Sequence, residues 1–144
     1  MNSSGQGQAD AGGLQLHVKS YRVLSDRSLP DEEGKFVILA KGQGLHVVFS
    51  PIALTPYHAN IVYQYLQIEG RGKVEAVSSS GCRILSPGWR VHGGGYYQVQ
   101  HGAQTLTLQG KSTAFGKYQG DLLRPFLEEI LGLLGLTGFY LELK

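Results

Sequence analysis

The sequence predicts an α+β domain in which two main helices pack on a mixed, largely antiparallel sheet of about six strands. Apolar and polar residues alternate over residues 14–24 and 138–143, which is the pattern of strands with one buried face. In residues 55–70 and 119–135, apolar residues recur at helical spacing instead. Strands outnumber helices and most links are short and rich in turn residues, which favours antiparallel neighbours.

The first half of the chain is predicted to form three strands and a helix. Residues 1–13 are rich in Gly, Ser and Gln and almost free of apolar side chains, so we expect a disordered tail before a single domain at 14–144. The apolar runs 35–40 and 45–50 are joined by a Gly-containing turn and form a predicted hairpin. Thr55 suits the N-cap of the first helix, and Pro56 suits its first position.

The second half is predicted to contain three strands, a helix and a final strand. Residues 73–85 are typical of a strand interrupted by serines and Gly81, and 86–95 are predicted to form a long loop or splayed hairpin. Two paired strands then follow. Asp121 is the predicted cap of the second helix, which Gly135 ends.

Composition and charge exclude several classes of protein. The chain has 144 residues, a net charge of +2 at pH 7 and one cysteine, Cys82, so it has neither an internal disulfide nor a cysteine zinc site. Without a signal peptide or a long apolar run, we expect a cytoplasmic protein. The histidines lack metal-ligand spacing, so neither a metal nor a cofactor is expected.

Gly110, Lys111 and Ser112 match the end of a nucleotide-binding P-loop. That motif needs a glycine five residues before Gly110, where this sequence has Thr105, so nucleoside triphosphate binding by this route is excluded. The amides of a short turn can still hold an anion, especially before a helix N-terminus. The small residues of this turn are Ser112, Thr113, Ala114 and Gly116. An ordinary Gly-rich turn with solvated lysines remains the alternative.

His58 is the candidate catalytic residue. With Thr55 as N-cap it falls at the third position of the first helix, where the positive helix end disfavours imidazolium. A neutral histidine can act as nucleophile or general base near neutral pH. The alternative is a histidine that only packs or caps at the start of the helix.

The segments KFVIL, PYHANI, GCRI and LQGKSTAFG, taken in that order, resemble the phosphohistidine phosphatase family, also called Janus/Ocnus-like. The resemblance covers about residues 35–143. It aligns His58 with the family's catalytic histidine, Lys35 with the basic residue of its first core strand, and Arg83 with the arginine that follows a glycine-rich strand end. The small residues from 112 to 116 align with the family's phosphate-holding turn.

The resemblance implies a metal-free phosphatase that acts on phosphohistidine or a related phosphoramidate in proteins. His58 would attack phosphorus or activate water, Lys35 and Arg83 would neutralise charge, and the turn would hold the phosphoryl oxygens. The alternative is a non-catalytic module that binds a phosphorylated ligand or a protein. Ser50, which stands where the family has another basic residue, favours the module.

An insertion from Trp89 to Tyr97, relative to the family, could bind a partner protein. Its aromatic residues could also stack on single-stranded nucleic acid, but the sequence has no broader basic patch, so nucleic acid is an unlikely partner.

Overall fold

The strands form a large mixed sheet with a helix on each face, and the predicted α+β class is confirmed. The structure, a computed structural model, describes residues 7–11, 13–26 and 32–144. The strands of the large sheet are β1 (Gly7–Ala11), β2 (Leu14–Ser20), β3 (Glu32–Lys41), β4 (Gly44–Pro51), β7 (Trp89–Gln100), β8 (Thr105–Gln109), β9 (Lys111–Ser112), β10 (Gly116–Lys117) and β11 (Tyr140–Leu143). A separate two-stranded sheet is made by β5 (Val74–Ser78) and β6 (Gly81–Ile84).

Six of these strands, β2, β4, β3, β7, β8 and β11, form the body of the large sheet. Most neighbours are antiparallel, while β2 pairs with β4, and β8 with β11, in parallel. The long strand β7 has β3 along one side. Its other side pairs with β8 towards the C-terminal end and, at Gly94, with Lys117 of β10.

The prediction of a loop over 86–95 is wrong, because most of that segment belongs to β7. The stretch from Trp89 to Tyr97 is therefore a central strand and does not protrude as an insertion. Between Val37 and Leu39 of β3 the pairing shifts, so that β7 carries one extra residue there. Gly93, in this extra stretch, has a φ of 90°, which glycine adopts without strain.

The bulge decides which face of the sheet each β7 side chain occupies. Trp89 and Val91, before the bulge, pack on the same face as Val37 and Leu39. Because an extra residue reverses the alternation, Gly94 and Tyr96 lie on that face as well, and both adjoin His58. The bulge therefore brings the two halves of β7 to one functional face.

The first helix starts later than predicted. Its N-cap is Tyr57 rather than Thr55, so α1 (His58–Val62) begins with His58 at its first position, and it continues as a π-helical segment (Tyr63–Ile68). The Tyr57 N–H donates to Oδ1 of Asn60 at 3.0 Å. Thr55 lies two residues before this N-cap, and its hydroxyl donates to the Ser50 hydroxyl.

The second helix is also shorter than predicted. Two 3₁₀ turns, Gly120–Leu122 and Arg124–Phe126, precede α2 (Leu127–Leu133). Asp121 does not cap this helix, because the N-cap of α2 is Phe126 and Asp121 lies in the first 3₁₀ turn, where its carboxylate accepts a hydrogen bond from Arg124 Nε at 3.1 Å. No helix among the described residues is both long enough and apolar enough to cross a membrane.

At the N-terminus, part of the predicted disordered tail is a strand in the structure. Gly7–Ala11 pairs antiparallel with β2 through backbone hydrogen bonds, which a polar segment forms as readily as an apolar one. The rest of the tail lies outside the described residues, apart from Gly13, which is in a turn.

The core is divided between the two faces of the sheet. The larger cluster lies under α2 and includes Phe36, Phe49, Leu106, Phe126 and Ile130. The smaller cluster lies under α1 and its π-helical continuation. Its buried members are Val37, Leu39, Val48, Ile61, Val62, Tyr65, Leu66 and Val74.

Candidate functional site

His58 is held against the bulged strand β7 in a single ring orientation. Its side chain is buried, and Nε2 lies 2.8 Å from the carbonyl oxygen of Gly95. A carbonyl can only accept, so Nε2 carries the proton and donates it to Gly95. The neutral ring therefore has its lone pair on Nδ1, which has no hydrogen-bond partner among the described residues.

A glycine makes room for this ring. A Cβ at Gly94 would stand 2.8 Å from Cδ2 of His58 and 2.7 Å from the carbonyl oxygen of Phe36. No side chain fits there without moving backbone or ring, so Gly94 is a packing requirement of the site.

The surroundings of His58 keep its ring neutral. Burial is the main cause that lowers the pKa of His58, and the positive charge of Lys35 lowers it further. The hydrogen bond to Gly95 acts in the opposite direction and only partly offsets the lowering. The expected neutral histidine at the start of the first helix therefore has burial as its principal cause.

Lys35 lies beside His58, since its charge acts on that ring and both side chains adjoin Tyr96. It points from β3 onto the α1 face, where Nζ donates to the carbonyl oxygen of Pro56. The ammonium also lies 5.5 Å from the ring centroids of Tyr57 and Tyr96. Burial lowers the pKa of Lys35.

Tyr96 is a residue of the site that the sequence analysis missed. Its ring meets the His58 ring edge to face, with centroids 5.7 Å apart, and its side chain remains 40% exposed. It directly follows Gly93, Gly94 and Gly95, the glycine run that contacts His58. The sequence signal was present in that run, but the run was assigned to a loop.

The small-residue turn is next to Gly94 in the sheet. Its two flanking strands, β9 and β10, pair with each other, and Lys117 of β10 pairs with Gly94 of β7. Phe115, at the end of the turn, packs on the α1 side of the sheet. The structure thus brings the turn and His58 to neighbouring positions on one face.

The turn is a three-residue hairpin loop that Ser112 closes. The buried Ser112 hydroxyl accepts the Phe115 N–H at 3.0 Å, and Gly116 has a φ of 81° as its closing residue. Thr113 and Ala114 are exposed, and their amides have no backbone acceptor among the described residues. These two amides are free for an anion, whereas the Ser112 hydroxyl already has a structural role.

The expected contribution of a helix N-terminus to this turn is wrong. The chain runs from the turn into β10 and two 3₁₀ turns, and α2 starts only at Leu127. Any anion at the turn would therefore depend on Thr113 and Ala114 amides and on nearby cations.

Arg83 is not brought to His58 by any contact in the described part of the chain. It lies on β6, with a 66% exposed side chain that pairs with Glu75 at 3.7 Å on the adjacent strand. The flanking residues Cys82 and Ile84 pack towards the core, so Arg83 points away from it. Burial raises the pKa of Cys82, which disfavours its reactive thiolate.

The glycines that contact His58 are Gly94 and Gly95 of β7, and the residue that follows them is Tyr96. Among the described residues, Lys35 is the cation whose charge acts on His58.

Metal ligands do not cluster at this site. Among the described residues, no group of three His, Cys, Asp or Glu side chains could hold a metal ion.

A search against protein-family models and a search of curated proteins found no match to this chain.

Proposed function

We propose that this protein is a metal-free phosphatase for phosphohistidine or a related phosphoramidate, with His58 as its reactive residue. The observation that carries the proposal is the fixed ring of His58, whose Nε2–H is donated to Gly95 and whose Nδ1 keeps a lone pair. Lys35 beside the ring supplies a positive charge for a phosphoryl group.

The chemistry requires only the Nδ1 lone pair and charge neutralisation. In the nucleophilic route, Nδ1 attacks phosphorus, the phosphorus–nitrogen bond to the substrate breaks, and the leaving nitrogen takes a proton from water. His58 then carries both the phosphoryl group and the Nε2 proton, and the Gly95 carbonyl stabilises the resulting positive ring. Water next cleaves the new bond, releasing phosphate and neutral histidine.

In the alternative route, Nδ1 takes a proton from a water molecule as that water attacks phosphorus. A general base typically contributes about 10²–10⁴-fold in rate. Trapping with rapid acid-free denaturation distinguishes the routes, since only the nucleophilic one leaves a phosphoryl group on His58.

The phosphoryl oxygens would be held by charge and amides together. Lys35 acts as a point charge, and the free Thr113 and Ala114 amides donate from the adjacent hairpin. The Ser112 hydroxyl closes this hairpin by accepting the Phe115 N–H, and its own O–H can still donate to a phosphoryl oxygen.

The test is hydrolysis of a phosphohistidine peptide followed by phosphorus NMR. His58→Ala should abolish turnover, and Lys35→Met should lower it by about tenfold or more, because one charge-assisted contact is typically worth about 1.5–3 kcal/mol. Arg83→Ala, a matched loss of a cation on the same side of the domain, should leave turnover unchanged. Full turnover by folded His58→Ala would overturn the mechanism.

The second candidate is a non-catalytic module that binds a phosphorylated ligand. It is favoured by the 5% exposure of His58 and by Tyr96, which covers the ring. Ser50 is fully buried and engaged with Thr55, so the position offers no basic group. Phosphate binding seen as NMR shifts at Thr113 and Ala114, without turnover of any phosphohistidine peptide, would favour this module over the enzyme.

A further inference from the structure

A second cavity lies on the same face of the sheet, at the opposite end of β3 from the His58 site. It has a volume of about 680 Å³ and lies between β2, β4 and the start of β7. Lys35 lies at the first site and Lys41 at the second. The two lysines are six residues apart on β3, so the two sites are about 20 Å apart at the usual rise of a strand. The proposed function uses no residue of this second cavity.

Four aromatic or heteroaromatic rings line this cavity. His17 and His46, partners in the parallel β2–β4 pair, stack with centroids 4.3 Å apart and planes 8° from parallel. Trp89 meets His46 edge to face with centroids 4.9 Å apart. The Tyr65 hydroxyl lies 2.7 Å from Nδ1 of the nearly buried His46.

The rings are fixed by further contacts, so the wall is preformed. The Trp89 Nε1–H donates to the carbonyl oxygen of Arg71 at 3.2 Å. The Arg71 guanidinium lies 3.9 Å from the centroid of the Tyr65 ring and pairs with Glu69 at 2.6 Å. Preformed rings lose little entropy when a flat ligand packs against them.

The charge of the cavity is positive. None of the described residues that line it is acidic, whereas Lys41 and Arg71 both are cationic. Arg71 is already neutralised by Glu69. Lys41 lies 5.7 Å from the Trp89 ring centroid and has no acidic partner among the described residues.

The histidines do not add fixed positive charge to this cavity. Burial is the main cause that lowers the pKa of both His17 and His46, with Arg71 lowering each further, so the rings are neutral near neutral pH. They offer apolar ring faces and polar edges, while Gln15 and Gln43 add amide donors and acceptors at the rim.

From this combination of aromatic walls, one unpaired ammonium and no carboxylate, we propose a second binding site for a planar aromatic anion, of which a purine mononucleotide is the chemical type. The ring of the ligand packs against Trp89 and the histidines. Its phosphate is held by Lys41, and the rim amides contact the base or sugar. Aromatic stacking and charge together provide the affinity, so neither half of the ligand suffices alone.

Trp89 makes the proposal directly testable, because it is the single tryptophan of the chain. Its one indole N–H resonance reports on this cavity and no other. The full-length protein is titrated with adenosine monophosphate, with adenosine and with inorganic phosphate, each followed at that resonance. Adenosine monophosphate should shift it to saturation, and the two fragments should bind at least about tenfold more weakly.

Variants locate the bound ligand. Lys41→Met should weaken binding of adenosine monophosphate about tenfold, as expected for one charge-assisted contact. Lys144→Met, a matched loss of an exposed lysine just after β11, at the other edge of the sheet from β2 and β4, should not weaken it, and neither should Lys35→Met at the His58 site. These controls separate the proposal from the proposed phosphatase, since either can fail while the other holds.

Three results would overturn the proposal. One is no saturable shift of the indole resonance. The second is equal binding of adenosine or of phosphate. The third is a loss of binding in Lys35→Met with none in Lys41→Met, which would assign the ligand to the His58 site.

Discussion

The two faces of the central sheet differ in how many apolar side chains they bury. Under α2, twenty-one buried residues form one cluster, against eight under α1 and its π-helical continuation. The α1 face also carries buried polar side chains, namely His46, Ser50, Thr55 and His58. Each of these groups has a hydrogen-bond partner, which offsets the cost of its burial. The α1 face therefore combines paired polar groups with a smaller apolar cluster, while the α2 face supplies most of the stability through apolar burial.

Both candidate sites lie on the α1 face, which has the smaller apolar cluster, and there is a structural reason for this. The β7 bulge turns Gly94 and Tyr96 to the same side as Trp89 and Val91. Without the extra residue, one of the two pairs would point into the α2 core. A single backbone irregularity thus assembles the functional face, and the following predictions test the contrast between the two faces.

Matched leucine truncations should show the largest difference in stability between the two cores. Leu106 under α2 and Leu66 under α1 are both fully buried. Leu106→Ala should lower the free energy of unfolding by about 4 kcal/mol and Leu66→Ala by about 2–3 kcal/mol, within the range of buried leucine truncations. The larger cluster is expected to collapse less around the cavity. Denaturant unfolding measures both, and a larger loss in Leu66→Ala would contradict the contrast.

Gly94→Ala should disturb the α1 face while sparing the α2 core. The added methyl would meet the His58 ring and the Phe36 carbonyl, so we expect a loss of about 1–3 kcal/mol in unfolding free energy and a displaced His58 ring. Gly102→Ala is the control, because a Cβ there has nothing within 4 Å. Unchanged His58 ring resonances in Gly94→Ala would show that the ring does not depend on this glycine.

The pH dependence of stability should also come mainly from the α1 face. Burial, followed by the charges of His17 and Arg71, lowers the pKa of His46 to about 3 from 6.5. The unfolded chain therefore binds a proton at this residue before the folded chain does. Unfolding free energy should fall as the pH drops from 6.5 towards 3, by at most about 1.4 kcal/mol per pH unit for this histidine.

His46→Gln isolates this contribution. Its unfolding free energy, measured between about pH 5 and 6.5, should depend on pH less steeply than that of the wild-type protein. This window lies above the range in which carboxylates such as Glu69 take up protons. Leu66→Ala is the control, because it lowers stability without removing a titrating group. An unchanged slope in His46→Gln would contradict the prediction.

The sequence predicted the fold class because alternation and helical spacing report burial locally. The period-2 pattern of β2 and the apolar runs of β3 and β4 each appear within a few residues. In contrast, residues 89–95 of β7 were missed because glycines hide the alternation there and the bulge reverses it. That reversal depends on pairing with β3, which only the folded sheet determines.

The candidate site was predicted in part for the same reason. Local cap and turn residues mark the positions of His58 and of the hairpin around Ser112, whereas Lys35, inside β3, was singled out only by the family resemblance. Two segments contain glycine, one before Arg83 and one before Tyr96. Only the strand order shows which of them contacts His58. The short motif before Arg83 was the better local match, yet the glycines that contact His58 lie in β7.

The smallest effect on stability is expected at Arg83, and this substitution also tests whether the β5–β6 hairpin belongs to the phosphate site. The Arg83 and Glu75 side chains are 66% and 54% exposed and 3.7 Å apart, so solvent screens their attraction. Arg83→Ala should change the free energy of unfolding by no more than about 0.5 kcal/mol. Phosphate titrated into this variant should shift the amides of Thr113 and Ala114 as it does in the wild-type protein, whereas Lys35→Met should weaken those shifts. If the phosphate-induced amide shifts were weaker in Arg83→Ala, the β5–β6 hairpin would belong to the phosphate site. Loss of the exposed pair with Glu75 could not by itself change those amides.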